Sequence, residues 1–339
     1  FFSLVSTSLI ASDKLDTNNY SFFFKHLVYV LIGIIIIFIF SSFNTNQLFK
    51  YSIFLFFVSL FSLLLVPIIG IEVKGSKRWI DLFFLPRFQP IEVLKPFLII
   101  TLATILCSNK ANIFSKHLIS IFIIALISLL LIIQPDIGQT LLVLFSWTVL
   151  IFTSGINLYL LISIFLFGSL FLAYLIIFVP KFDYIQGRIF SFFNRETGSH
   201  NFQSDKAIDS ITSGGFFGKG MGEGTLKNSV PEAHTDYIIS VISEEFGVVA
   251  IMLILLLFLI FIYMVFKKIN FETNDKIKLI LIGSISLILM QATIHIGVNI
   301  RLFPTTGMTL PFLSYGGSSI VSTSILAGII LNLTKRKIN

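Results

Sequence analysis

Residues 138–179 run from Gly138 to Val179 without one Asp, Glu, Lys or Arg. About 20 apolar residues in helical form cross the hydrocarbon of a bilayer. This stretch is therefore far too long for one crossing, and "TSGIN" at 153–157 is the turn expected to divide it. The rest of the chain repeats the pattern, with spans expected near 1–12, 26–43, 50–71, 91–108, 117–133, 138–154, 157–179, 237–266, 278–298 and 311–333. Composition agrees: 55% of residues are hydrophobic and 12% charged, against roughly 25% charged in a soluble domain. A mean hydropathy of +0.95 makes lipid the solvent. The fold class expected is an all-α polytopic membrane protein of about ten transmembrane helices. It forms one membrane domain over 1–339, with a large extracytoplasmic loop at 180–236 between helices 7 and 8.

The chain opens on Phe1 and enters "FFSLVSTSLIAS" directly, with no basic stretch or small-residue cleavage site of a signal peptide. Residues 1–12 read as the tail of a first helix whose beginning is missing. The 39 Phe residues are expected mostly as lipid-facing bulk. A net charge of +7 bears on topology and anionic lipid; it is not the footprint of nucleic acid. Cys107 is the sole cysteine, which excludes an internal disulfide and any cysteine metal site.

Orientation follows from basic residues in short loops. With a cytoplasmic N-terminus, Lys50, Lys110, Lys116, Lys267, Lys268, Lys276, Lys278, Lys335, Arg336 and Lys337 fall on the inner side. They are 10 of the 24 basic residues, so the raw count does not favour this orientation, but their loops are short and their basic density is higher. That side is expected to be cytoplasmic, which turns 180–236 outward. The segment 180–236 reads as non-helical, yet its Phe, Ile and glycine content argues for order and function.

The outward loops collect the unusual residues. In "EVKGSKRWIDLFFLPRFQPIEVLK" at 72–95, Lys77, Arg78 and Arg87 could hold a phosphate, and Trp79 suits the headgroup level. Interfacial anchoring by Trp and Lys is the simpler account of that loop. Glu92 and Lys95 stand three apart and can pair on one helix face. In "QPDIGQT" at 134–140, Asp136 is placed to cap a helix N-terminus. "SGGFFGKGMGEG" at 213–224 lets backbone N–H groups approach a phosphate or sugar, or is a flexible connector. It is not a nucleotide-binding P-loop, because Gly220 follows Lys219 where Ser or Thr is required. In "NIRLFPTTGMTLPFLSYGGSS" at 299–319, Pro304, Gly307 and Pro311 impose irregular backbone at membrane depth. Such backbone survives only where it is buried in protein or lines a cavity.

"SVPEAHTDYIISVISEEFG" at 229–247 brings Glu232, His234, Asp236, Glu244 and Glu245 to the mouth of a span. With Thr235 as N-cap, Asp236, Ser240, Glu244 and Gly247 share one helix face. An Asp in a first turn is stabilised by the helix dipole and needs no catalytic role. Glu244 and Glu245 lie deeper, and intramembrane acids are functional candidates.

The motifs "QPIEVLK", "QPDIGQT", "SGGFFGKGMGEGT", "PEAHTDYIISVISEEFG" and "PTTGMTLPFLSYGGSS", in this order, resemble those of the SEDS family, which includes FtsW and RodA. The likeness runs from about residue 3 to 333, nearly the whole chain. Ala233 before His234 resembles the cell-division branch, FtsW, more than the RodA elongation branch. Ile91 stands where the family usually has Ser, and Arg301 where a small or apolar residue is common. The resemblance implies a bacterial inner-membrane peptidoglycan glycosyltransferase that polymerises lipid II, an undecaprenyl-pyrophosphate disaccharide pentapeptide, at the septum. Its implied partners are a class B penicillin-binding protein transpeptidase and other division proteins. The family's essential acid maps onto Asp236. Its other sensitive positions map onto Lys77, Arg78, Glu92, Lys95, Gln134, Asp136, His234, Glu245, Pro304, Thr305, Gly307, Pro311 and Ser314. Lys77, Arg78, Arg188 or a divalent cation (Mg or Mn) would stabilise the leaving pyrophosphate. A lipid II flippase and a RodA-like polymerase are the alternative readings.

Overall fold

The structure is a computed structural model that describes residues 19–73, 76–82, 85–109, 112–194 and 202–335. The span expected at 1–12 lies outside the described residues. The helices are α1 (Asn19–Ser42), α2 (Thr45–Ile69), α3 (Pro90–Leu106), α4 (Ile113–Ile133), α5 (Ile137–Thr153), α6 (Leu158–Phe178), α7 (Asp183–Asn194), α8 (Phe202–Gly214), α9 (Ile238–Phe271), α10 (Asp275–Asn299) and α11 (Gly317–Thr334). Between α2 and α3 lie β1 (Ile71–Val73), β2 (Ser76–Leu82) and β3 (Leu85–Phe88), an antiparallel sheet in the order β1-β2-β3. Among the described residues seven helices are long and apolar enough to cross a bilayer: α1, α2, α4, α6, α9, α10 and α11. α5 is a shorter apolar helix.

The turn at 153–157 falls where the sequence places it. Gly155 adopts φ +87, which favours glycine, and the Asn157 side chain caps α6 by accepting the Tyr159 N–H at 2.9 Å. Three segments differ from the reading above. Residues 180–236 are not uniformly non-helical, because α7 and α8 lie inside them. Both are short, and α8 buries Ser204, Ala207, Ser210 and Gly214, a face of small residues that carries no hydropathy signal. Residues 71–73, 76–82 and 85–88 form a small sheet, which short polar strands do not announce. The last span begins at Gly317, because Pro311 and the turns that follow it keep 311–316 out of the helix.

The described chain divides into two compact units. One comprises 29–156, 261–290 and 317–339. In it α3 packs against α2, α4, α5 and α11 and is buried along almost its whole length. α1 and α11 cross where Gly33 meets Ser324; a Cβ at Gly33 would lie 2.6 Å from the Ser324 Oγ. Small residues at such crossings let helix backbones approach in lipid. Near the far end of α11, Asn332 donates to the Phe40, Ser41 and Phe43 carbonyls at 2.9, 3.1 and 2.6 Å. Two of these, Phe40 and Ser41, are orphan carbonyls in the last turn of α1.

The other unit comprises 1–28, 157–260 and 291–316. It contains the loop between α10 and α11, the segment leading into α9, and helices α6, α7 and α8.

Candidate functional site

In the unit of 157–260 and 291–316 the geometry converges on Asp236. The chain from Pro231 to Tyr237 is turn, and α9 starts only at Ile238. Glu232 takes a left-handed conformation (φ 52), and its carbonyl accepts the N–H groups of Thr235 and Asp236, each at 3.1 Å. Asp236 thus precedes the helix and does not sit in its first turn, which corrects the expectation of Thr235 as cap. The N–H that a capping side chain would take is that of Ser240, and the Asn299 Oδ1 accepts it at 3.3 Å. Three consecutive carbonyls of the segment are fixed by donors from the α10–α11 region. His234 O accepts from the Tyr315 N–H at 3.0 Å. Thr235 O accepts from the Ser314 hydroxyl at 2.6 Å, and Asp236 O from the Asn299 Nδ2 at 3.0 Å.

The loop of 300–316 is held from both sides. Gln291, His295 and Asn299 are buried at i, i+4 and i+8 on α10. Gln291 Nε2 donates to Thr309 O at 3.0 Å, and His295 Nδ1 to Met308 O at 2.7 Å. From α7, Arg188 donates to Thr305 O at 2.8 Å. From α8, Asp205 pairs with Arg301, which holds a left-handed φ of 57. Gly307 (φ 70) is exposed and faces Asp236; a Cβ there would lie 3.5 Å from the Asp236 Oδ2. The half-buried carboxylate therefore sits behind an open glycine, where a large substrate can approach.

Electrostatics agree with that placement. Burial, reinforced by the Asp236 charge, pushes the Tyr237 phenol up, and Arg188 opposes it. The Tyr237 hydroxyl is buried with no hydrogen-bond partner among the described residues. The His234 and His26 rings flank Tyr315, with centroids 6.0 and 5.4 Å away.

The glycine-rich loop and the two glutamates are bound to each other. Glu244 Oε1 accepts from Lys219 Nζ at 3.1 Å and from the Thr225 and Leu226 N–H groups, both at 2.9 Å. Its Oε2 accepts the Ser210 hydroxyl at 3.0 Å. Glu245 Oε1 accepts the Gly222 N–H at 3.2 Å. Both acids are buried. Of the amides in 213–224, that of Gly222 is thus aimed at a carboxylate of the same chain and those of Lys219 and Gly220 at the Glu244 and Glu245 carbonyls, so Glu245 serves the loop.

A second polar cluster lies in the unit of 29–156 and 317–339. Arg78 of β2 donates to Gln134 O at 3.3 Å and Pro135 O at 2.5 Å, and its guanidinium lies 3.6 Å from Asp136 Oδ1. Asp136 caps α5 by accepting the Gln139 N–H at 3.3 Å, and it accepts Gln89 Nε2 at 3.0 Å. Burial pushes the Asp136 carboxyl up, while Arg78 and the Gln139 N–H oppose that shift. Glu92 Oε1 accepts Lys95 Nζ at 2.8 Å and Gln139 Nε2 at 2.6 Å. Lys77 is exposed and pairs in register with Glu72, on the other face of β2 from Arg78. Strand alternation separates the two. Gln89 and Gln139 belong to this cluster without having been singled out by sequence. Among the described residues no three His, Cys, Asp or Glu side chains converge as a metal site.

A polytopic helical membrane protein whose polar residues gather on a half-buried aspartate behind a broken helix connection is the class defined here. The FtsW, RodA and SpoVE family model, described as cell cycle protein, matches residues 1–339. The chain belongs to that family. It is 32% identical over 345 residues to the "Probable peptidoglycan glycosyltransferase FtsW" of Coxiella burnetii, covering 97% of this chain and 91% of that protein. Among solved structures it resembles the rod shape determining protein RodA of Thermus thermophilus, with 26% identity and TM-score 0.70. That match covers 99% of this chain and 95% of the other. It also resembles a chain from a peptidoglycan synthase complex solved for how polymerization and crosslinking are coordinated, with 25% identity and TM-score 0.77. There the coverage is 98% of this chain and 94% of the other. Helices and family together make it a multi-pass inner-membrane protein.

Proposed function

We propose that this protein is a peptidoglycan glycosyltransferase that polymerises lipid II into glycan strands during cell division. The observation that carries the proposal is Asp236, held by three pinned carbonyls and presented half-buried beside Gly307. The reaction joins a sugar hydroxyl to an anomeric carbon that bears a pyrophosphate. A carboxylate within hydrogen-bond reach of that hydroxyl removes its proton as the new bond forms. Asp236 is that base. The usual objection, that a helix start needs its carboxylate as a cap, is weakened because Asn299 takes the Ser240 N–H. The departing pyrophosphate gathers negative charge and needs a cation nearby. Arg188, which donates to the Thr305 carbonyl in the loop that carries Gly307, supplies it.

The division role is favoured by Ala233 before His234 and by relatives named FtsW. The synthase-complex likeness supports a class B transpeptidase as partner. The outward loop, septal placement and lipid II as substrate belong to the same reading. The test supplies labelled lipid II to the purified protein with its transpeptidase. Wild type yields glycan polymer and Asp236→Asn yields none; equal polymer from both would end Asp236's role as base. If the wild type moves lipid II across liposomes and makes no polymer, the protein is a flippase. Depleting it from growing cells separates the branches. Filaments with unfinished septa mark the division role, and rounded cells the elongation role.

A further inference from the structure

The glycine-rich loop is stitched into α9 at a defined depth. Gly247 (φ 76, ψ −178) breaks the helix, so Val248 and Val249 do not donate one turn back. Their N–H groups go to Gly215 O at 3.0 Å and Phe216 O at 3.2 Å. The carbonyls of Glu244 and Glu245, freed by the break, accept the Lys219 and Gly220 N–H groups at 2.9 and 3.0 Å. Four backbone groups of the helix are thus exchanged with the loop. The fit admits no side chain. A Cβ at Gly218 would lie 2.2 Å from Glu245 O, and one at Gly247 2.2 Å from Phe216 O.

The depth follows from the helix itself. Lys267 and Lys268 mark the polar end of the apolar run in α9. About 20 residues at 1.5 Å each span the roughly 30 Å hydrocarbon core. Counting back from Lys267 by that length reaches Val248, where the loop is attached. Irregular backbone persists at such depth only if its polar groups are satisfied within the protein, and the four exchanged bonds do that. The one charged side chain in 214–222 is Lys219, and it is paired with Glu244 at 3.1 Å. At the tip, Phe216 and Phe217 are 75% and 84% exposed. They adjoin the exposed Val248 and Val249, and the same exposed face continues along α9 at Met252 and Leu253.

We infer that residues 214–221 form a re-entrant insert of the membrane, with Phe216 and Phe217 seated among lipid chains at the edge of the hydrocarbon. This surface is an extension of the lipid-facing side of α9, and it stands whether or not the catalytic reading holds. Two adjacent phenylalanines on a rigid, glycine-built tip have no cause in water, whereas in the interface they fix the loop against the bilayer.

The test uses the whole protein in nanodiscs of phosphatidylethanolamine and phosphatidylglycerol. Cys107→Ser provides a background for a spin label at Phe217→Cys, with Met252→Cys as a lipid-facing reference and Asp209→Cys as a loop reference. Collision with oxygen should exceed collision with a water-soluble nickel chelate at Phe217, as at Met252, and the reverse should hold at Asp209. A Phe217 label that behaves like Asp209 would make the loop aqueous. A label shielded from both reagents would mean that protein covers the tip. Either outcome overturns the inference. If Phe217→Cys does not yield folded protein, Phe216→Cys is read by the same comparison.

Discussion

Asn299 holds both the start of α9 and the backbone of Asp236, accepting the Ser240 N–H at 3.3 Å and donating to the Asp236 carbonyl at 3.0 Å. One side chain from α10 thereby does the work that a capping residue does elsewhere. Asn299→Ala removes the donor to the Asp236 carbonyl, at about 1–3 kcal/mol, while the Ser240 N–H keeps the Tyr237 carbonyl at 3.1 Å. The expected result is a lower unfolding midpoint in detergent and at least a tenfold fall in lipid II polymerisation. Asn299→Asp keeps the acceptor for Ser240 and removes the donor to Asp236. It should recover helix stability better than activity, and equal recovery of both would count against a positioning role.

Gly307 is left-handed, and its Cα faces the Asp236 carboxylate. Gly307→Ala meets no severe clash, since the added carbon would lie 3.5 Å from Oδ2. Its effect comes through backbone strain of about 1–2 kcal/mol. The polymerisation rate should drop several-fold while purified protein remains folded by circular dichroism. An unchanged rate would show that the 300–316 loop does not shape the site.

Much of this architecture was legible in the sequence, and the failures have physical causes. The Glu92–Lys95 pair and the Asp136 cap rest on local spacing, which the structure closes at 2.8 and 3.3 Å. A cap at Thr235, which its residue type allows, would put Asp236 inside the helix. The true cap comes from a residue 59 positions away, and no local rule reaches that far. The glycine-rich loop reads from sequence as either a phosphate or sugar cradle or a flexible connector, whereas in the structure the Gly222 amide is taken by the Glu245 carboxylate and those of Lys219 and Gly220 by carbonyls of α9. The buried polar stripe of Gln291, His295 and Asn299 carries no motif and no Asp, Glu, Lys or Arg. Its four-residue period inside an apolar span was a readable signal.

Arg301 pairs with Asp205 and so braces the 300–316 loop against α8. The pair is partly exposed, at 24% and 37%, so its coupling should be modest, roughly 0.5–1 kcal/mol in a double-mutant cycle. Arg301→Ala and Asp205→Ala should each lower the rate. The exchange of charges, Asp205→Arg with Arg301→Asp, should restore part of it. Failure of the exchange to exceed either single variant would remove the brace.

Glu244 is fully buried and accepts a lysine, a serine hydroxyl and two backbone N–H groups. Glu244→Ala strands those donors and should cost about 3–5 kcal/mol. The first visible consequence should be release of the glycine-rich loop. Trypsin cleavage at Lys219, followed by mass spectrometry, should become at least tenfold faster. Slow cleavage with ordinary stability would mean that the exchanged backbone bonds alone hold the loop.

Glu92 and Lys95 are 3% and 0% exposed and are joined to Gln139 within one network. Their burial allows two roles, substrate contact or internal support, and paired substitution separates them. Lys95→Met alone leaves the Glu92 charge buried without its ammonium, which typically costs about 3–5 kcal/mol. Glu92→Gln combined with Lys95→Met removes both charges and keeps an acceptor for Gln139. If the pair is support, the double variant should be markedly more stable than Lys95→Met and should regain polymerisation in step with stability. If the ammonium contacts substrate, stability should return while the rate stays low and the lipid II concentration for half-maximal rate rises. Thermal unfolding and lipid II titration, run on the same preparations, decide between them.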